Sequence, residues 1–573
     1  MNTHCDTRAR VRVVPTVACL LAALTIAPVL PAQEPAPPKA AKVQFDSGAA
    51  AFKRGDAQRA EAAYRKAITI DPAYYDAHDG YIKATELLYE IRGKADTGWR
   101  WDFEDTLKMH RRLKVDSVAH RELTREYTQW SAQHPKIAAY QWALGDLKGE
   151  SPEAEPYYKK AVKLDPKLAR AYEWLSLISE FRGDDAASAE YMRKASEADT
   201  TNGEYASSYA DKFVTSDPAR FRELSLKVAK RFAGTDKGAG ALSWLAYNTE
   251  GDSAKAAAYE QLRSQFPLAT SEHSRGSMWN LFDTYARSAP DKALALAQEL
   301  LQLSTDADDQ GSWAAKVVFA RNLVFARSLA ADHKYAAASA VLSATRVPKY
   351  SSDDDMFALL RAEMADSAGN TKVAYDSLLV HFAKTPGDSA QAAIGRYAAK
   401  LHKSSAQVDS AVWAIRDTAA RPATPFRLAA YGGPADSIAL ADYKGKVVLL
   451  TFWFPGCGPC RGEFPHFQKV ANALKGRNFA YLGINVSPEQ DAYVRPFLKG
   501  TQYSFTPLHG NDKFAKDAYK VRGEPTNFLI DANGRIVFKD FMIHDATAER
   551  MLTLMIESML AHGGGGTSAS AGQ

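Results

Sequence analysis

The spacing of apolar and polar positions changes near residue 420. From Val43 to about Ala420 the apolar residues recur at helical spacing, with Ala, Leu, Lys and Glu enriched and no run of alternating β-branched residues. Beyond that point, Val447 to Phe454 and Phe479 to Val486 are continuous apolar runs of strand length, suited to strands buried on both faces. Asn527 to Ile530 and Ile536 to Phe538 flank Asp531-Ala532-Asn533-Gly534, a hairpin-turn composition. Helical spacing returns over Cys460 to Leu474 and Ala546 to His562. The expected fold class is multidomain: an all-α helical-repeat solenoid followed by an α/β domain.

The helical half repeats itself. Gly48, Gly55, Ala60, Tyr64, Ala67, Ile70 and Pro72 sit at spacings similar to those of a tetratricopeptide repeat, whose period is about 34 residues. Gly149, Ala154, Tyr158, Ala161, Leu164 and Pro166 reproduce the second half of that pattern, and Tyr172, Leu175, Gly183 and Ala195 follow it more loosely. Small residues such as Ala60 and Ala67 suit the close crossing of two helices, Tyr64 the gap between hairpins, and Pro72 the end of a helix. One hairpin cannot bury its own apolar face, so neighbours must stack. Residues 43–200 are assigned to tetratricopeptide-like repeats and 201–420 to degenerate helical repeats, with units around Trp244 to Pro267 and Tyr335 to Leu342. Generic helical packing is the alternative for that second half. The concave face of such a solenoid suits a protein partner, and a spacer or dimerisation role fits equally.

The two ends read differently. Arg8, Arg10 and Arg12 precede an apolar run from Val13 to Leu30 that closes at Ala32, the order of a secretory signal over residues 1–32. An uncleaved membrane anchor is the alternative, since spans need roughly 17 to 25 residues. Residues 33–42 and 421–425 are Pro-containing linkers, 426–562 the α/β domain, and 563–573 a Gly- and Ser-rich disordered tail. A separate domain on such a linker needs no contact with the repeats. The localisation expected is export to the bacterial periplasm.

Charge and cysteines narrow the chemistry. With 72 basic and 67 acidic side chains the chain has no electrostatic case as a nucleic-acid binder. Cys5 and Cys19 lie in the signal, which leaves Cys457 and Cys460 in the exported protein. A long exported chain with two cysteines has no disulfide framework, and C-x-x-C suits a redox pair. Structural zinc needs two more ligands, and His466 is the only close candidate; no metal or cofactor is expected. The strand ending at Phe454 leads through Pro455-Gly456-Cys457-Gly458-Pro459-Cys460 into a helix. Cys457 then sits at the helix N-terminus, where unpaired amides and the helix dipole stabilise a thiolate, as the attacking sulfur. Cys460, one turn inside, is the resolving sulfur.

These residues, together with Lys444-Gly445-Lys446-Val447-Val448-Leu449-Leu450, Thr451-Phe452-Trp453, Glu463-Phe464-Pro465 and Glu524-Pro525-Thr526-Asn527-Phe528-Leu529-Ile530-Asp531, resemble the thioredoxin superfamily, and more closely its exported TlpA/ResA-like thiol-disulfide reductases. The resemblance covers roughly residues 424 to 562. It implies a thioredoxin-like fold, a cis-proline at Pro525 facing the disulfide, and a buried acid at Glu463 that assists proton transfer at the thiols. The buried Asp of cytosolic thioredoxins falls on Thr451, which cannot ionise; a solvated surface glutamate is the alternative reading of Glu463. Two positions depart from the pattern. Gly456 stands where thioredoxins usually carry Trp, weakening one wall of the substrate surface. Glu524 precedes the cis-proline position, where its carboxylate would raise the thiol pKa or repel acidic substrates.

The expected function is a protein-disulfide reductase. Its partners are disulfide-containing protein substrates, a membrane-bound dithiol donor implied by the resemblance, and a protein on the repeats. Two alternatives stand beside it. A peroxiredoxin-like thiol peroxidase would carry Pro at 450 and Thr at 454, where this chain has Leu450 and Phe454. A repeat-based scaffold would make the redox domain secondary.

Overall fold

Tyr64 shows how the helical half is assembled. In this computed structural model, which describes residues 36–94, 118–349, 354–432 and 437–564, the helices Lys39–Lys53 and Ala57–Ile70 form a hairpin packed on Tyr75–Lys94. Ala60 and Ala67 are fully buried. The Tyr64 ring lies against Gly48 and Gly80, where an added Cβ would stand 2.8 and 2.6 Å from it. Glycine at both places lets one ring close the gap between neighbouring helices. Asp56 caps the second helix by accepting from the Arg59 amide, and the helix ends two residues before Pro72. Tyr158 repeats the device against Gly145, at 2.7 Å. Helical hairpins continue through Ala169–Phe181 and Asp185–Ala198 to Ser405–Ala419, around one core from Ala210 to Met364 and another from Ala362 to Val412.

The sequence-based boundaries need correction at two places. The stretch 33–42, expected as a linker, is helical from Lys39. The stretch 421–425, also expected as a linker, begins with two residues, Arg421–Pro422, that form an edge strand of the C-terminal sheet. The expected signal segment, with Cys5 and Cys19, lies outside the described residues, as does the tail beyond Gly564, where the last helix ends.

The C-terminal strands are β1 (Arg421–Pro422), β2 (Arg427–Ala429), β3 (Ser437–Ala439), β4 (Val447–Trp453), β5 (Phe479–Asn485), β6 (Thr506–His509), β7 (Thr526–Ile530) and β8 (Arg535–Lys539). Six form one sheet in the order β1-β8-β7-β4-β5-β6, and β2 pairs with β3. β4 runs parallel to β5 and antiparallel to β7. All seven of its residues are buried, because both faces are covered. Leu449 and Trp453 face a core with Phe464, Phe467, Leu552 and Ile556 of the helices Gly458–Ala473 and Ala546–Gly564. Val448, Leu450 and Phe452 face Phe426, Ala515 and Tyr519 on the other side. At the edge, Arg421 pairs with Ile536, and the Ala423 amide donates to the Gly534 carbonyl at 2.9 Å. An edge strand tolerates Pro422, which has no N–H to offer.

The helical region packs on this domain at two places. Trp413 of the last repeat helix joins the core beneath β4 and stacks on His562 at 3.7 Å. Tyr493, of the helix Asp491–Thr501, is fully buried in the core of the first repeats.

Candidate active site

β4 delivers the chain to the redox motif. After Trp453 the backbone turns through the buried Pro455, and Cys457 becomes the N-cap of Gly458–Ala473, its Sγ accepting from the Cys460 amide at 3.2 Å. Pro459 lies in the first turn, where no N–H is needed. Pro465 interrupts the ladder further in. Cys457 and Cys460 are joined as a disulfide with Cα atoms 5.3 Å apart. Cys460 is fully buried and Cys457 is 3% exposed, while Gly458 and Pro459 face outward. The helix N-terminus at Cys457 favours a thiolate once the bond opens.

Glu463 is buried one turn beyond Cys460. Its Oε2 accepts from Asn527 Nδ2 at 2.8 Å and its Oε1 from the Ile543 amide at 2.7 Å. Burial pushes its pKa up from 4.5 to about 7, against the pull of those two hydrogen bonds. Asn527 pairs across the sheet with Thr451, so these side chains share the seam between sheet and helix. A carboxyl group of this pKa can both take and return a proton near neutrality.

Pro525 follows a cis peptide bond from Glu524 and immediately precedes β7. Since Thr526 pairs with Phe452, the turn holding Glu524 and Pro525 lies at the end of β4 from which the thiol loop departs, and both residues are half-buried. His466 stands apart from this group: its Nδ1 lies 2.9 Å from Glu549 Oε2, on the side facing the last helix. Among the described residues no cluster of His, Cys, Asp and Glu is placed to hold a metal ion.

Gly456 differs most from expectation. Its amide donates to Gln490 Oε1 at 2.7 Å, and its α-carbon lies beneath Phe181 of the repeats. The expectation of a redox domain without necessary contact to the repeats is therefore corrected. The sequence alone marks neither Phe181 nor Asn527 as part of the site; the only signal for the first is the missing side chain at 456.

The AhpC/TSA family profile matches residues 419–539, and the tetratricopeptide repeat profile matches residues 41–74. A thiol-disulfide oxidoreductase ResA of Bacillus subtilis is 35% identical over 114 residues, 19% of this chain and 63% of the relative. That of Bacillus cereus is 34% identical over 116 residues, 20% of this chain and 64% of the relative. The chain thus spans under two thirds of the length of these relatives. Among solved structures, the thioredoxin domain of a thiol-disulfide oxidoreductase from Bacteroides vulgatus is 26% identical, covering 24% of this chain and 96% of that one with a TM-score of 0.22. A thiol:disulfide interchange protein from Chlorobium tepidum is 25% identical, covering 25% and 97% with a TM-score of 0.22. The C-terminal part of this chain is thus a thioredoxin-like α/β domain that matches the AhpC/TSA profile over residues 419–539, set behind a helical region whose residues 41–74 match a tetratricopeptide repeat.

Proposed function

We propose that the protein is an exported thiol-disulfide oxidoreductase that reduces protein disulfides, with repeats that engage a protein partner. The observation that carries the reading is the Cys457–Cys460 disulfide at a helix N-terminus, with a buried Glu463 one turn behind it. In the reduced protein the Cys457 thiolate attacks one sulfur of the substrate disulfide. A mixed disulfide forms, and the displaced substrate sulfur leaves as a thiolate that takes up a proton. Cys460 then gives its proton to the Glu463 carboxylate and attacks Cys457 Sγ, which restores the internal disulfide and releases the second substrate sulfur as a thiolate to be protonated. Two electrons pass from the dithiol to the substrate in all; one of the two protons is that of Cys460, handed on by Glu463, and the other comes from solvent, which received it when Cys457 ionised. Glu524 and Pro525 position the substrate chain beside the disulfide.

The reducing direction rests on the C-G-P-C sequence, which matches the reducing precedent of thioredoxin at about −270 mV. Export and periplasmic residence rest on the residues before Lys39, and the uncleaved anchor is the competing reading; among the described residues no helix is long and apolar enough to cross a membrane. Turnover outside the cytoplasm needs a membrane-bound dithiol donor to reopen the disulfide. A thiol peroxidase has the AhpC/TSA match on its side, but Leu450 and Phe454 occupy the two positions where its motif needs Pro and Thr.

Insulin reduction by the full chain with excess dithiol tests the reading. The wild type should turn over and Cys457→Ser should lose at least about 10²-fold. Turnover surviving in Cys457→Ser, or peroxide consumed in preference to disulfide, would overturn it.

A further inference from the structure

Three glycines bring the repeats onto the redox domain beside Cys457. A Cβ added to Gly456 would stand 2.7 Å from Phe181 Cε1 and 3.0 Å from Gln490 Nε2. One added to Gly183, whose φ is +70°, would stand 2.8 Å from Thr501 Cγ2 and 2.9 Å from the Phe497 carbonyl oxygen. One added to Gly500 would stand 2.5 Å from the Arg182 carbonyl oxygen. Side chains do not approach that closely, so each glycine is a place where the two regions meet backbone to backbone or backbone to ring.

The rest of the contact is equally specific. Phe181 ends the helix Ala169–Phe181, is 3% exposed, and meets the Tyr493 ring edge-on at 5.3 Å. Arg461, directly after Cys460, donates to the Glu180 carbonyl and, at 2.7 Å, to Asp185 Oδ1. Gln490, which accepts the Gly456 amide, donates in turn to Glu150 Oε2 at 2.5 Å. Gly456 and Arg461 flank the Cys457–Cys460 motif, so the repeats grip it at both ends. The open approaches are on the side of Gly458 and Pro459 and along the half-buried Glu524–Thr526 turn.

We infer that Phe181, supplied by the repeats, is a specificity-determining wall of the redox site, standing over the position where the glycine offers no side chain of its own. The inference rests on the oxidoreductase reading for its meaning, but its geometry can be tested apart from turnover. A small disulfide reaches Cys457 past this wall. A polypeptide disulfide must thread between the Pro525 turn and the repeats, so the clasp selects protein substrates by the room they need around the bond.

The test uses full-length reduced protein in a Cys5→Ser, Cys19→Ser, Cys460→Ser background, leaving Cys457 as the reactive thiol. N-ethylmaleimide and a polyethylene-glycol maleimide are compared, the ratio of their rates serving as an internal control. With the clasp intact, the bulky reagent should lag by about tenfold more than it does on free cysteine. Gly183→Val, which forces the contact apart at Thr501, and Phe181→Ala, which removes the ring, should each shrink that lag by about fivefold or more. In the two-cysteine protein the same variants should raise insulin turnover relative to turnover of a small disulfide. Unchanged ratios in both variants, with their circular dichroism intact, would overturn the wall. Shifted alkylation ratios without any disulfide turnover would uphold the wall and remove the oxidoreductase reading.

Discussion

Asn527 holds Glu463 in the seam between sheet and helix, donating from Nδ2 to Oε2 at 2.8 Å, while the Ile543 amide donates to Oε1 from the opposite end at 2.7 Å. Both bonds favour the carboxylate, burial opposes them more strongly, and the group is left at about 7. Glu463→Gln keeps the shape and removes the proton acceptor. Mixed-disulfide resolution should slow by about 10²-fold at neutral pH, and the inflection near pH 7 should vanish from the rate profile. Equal rates across that range would leave Glu463 a packing role only. Stability carries its own sign. The folded pKa lies above the ordinary 4.5, so the contribution of Glu463 is fully present below that pH and is lost as pH rises through about 7. The Gln variant should therefore gain on the wild type in melting temperature over that interval.

Asn527→Leu tests the same seam from the sheet. Asn527 Nδ2 also donates to the Phe541 carbonyl at 3.0 Å. The substitution strips a hydrogen bond that lowers the Glu463 pKa, so the rate inflection should move upward. The cost to stability should be about 1–3 kcal/mol, since buried acceptors lose their donor. An inflection that stays in place or falls would show that Asn527 does not tune the acid.

How much of this was legible follows from which residues carry the signal locally. The run Val447 to Phe454 reads as a strand buried on both faces because every one of its side chains is apolar or small, and the two cores above and below β4 require that. Cys457, Cys460 and Glu463 are separated by three residues each, so one helical face orders them without tertiary knowledge. β6 is not legible in the sequence because it is only four residues long and contains Pro507. Pro496 likewise hides the helix Asp491–Thr501, and Pro422 made an edge strand look like a linker. Phe181 was illegible for another reason. An apolar residue at the end of a repeat helix is ordinary core, and its partner Gly456 lies in a part of the chain that only folding brings near.

Order of reaction separates the two sulfurs. Cys460 is fully enclosed within the first turn, whereas Cys457 caps the helix at its positive end. Limited alkylation of the reduced protein, followed by peptide mapping, should find label on Cys457 first and by about tenfold or more. Preferential labelling of Cys460 would exchange the roles of attacker and resolver.

Trp413 belongs to the repeats by chain order and to the redox domain by packing. It is 8% exposed, stacks on His562 at 3.7 Å, and lies with Phe538 around the Arg416 guanidinium, whose Nη1 donates to Ser558 Oγ at 3.0 Å. Arg535 ties the same helix to the sheet through Asp417 at 2.8 Å. Removing the ring should leave a cavity between the last repeat helix and Ala546–Gly564, and Trp413→Ala should cost about 3–5 kcal/mol. A fragment of residues 405–564 keeps this helix and β1. One of 426–564 loses both, leaving the β8 edge unpaired and the apolar surface under Trp413 bare. The longer fragment should unfold cooperatively at the higher temperature, and the shorter should melt lower with a broader transition. Equal melting of the two would mean that the sheet closes its own core, and that the helix Ser405–Ala419 is carried by the domain without supporting it.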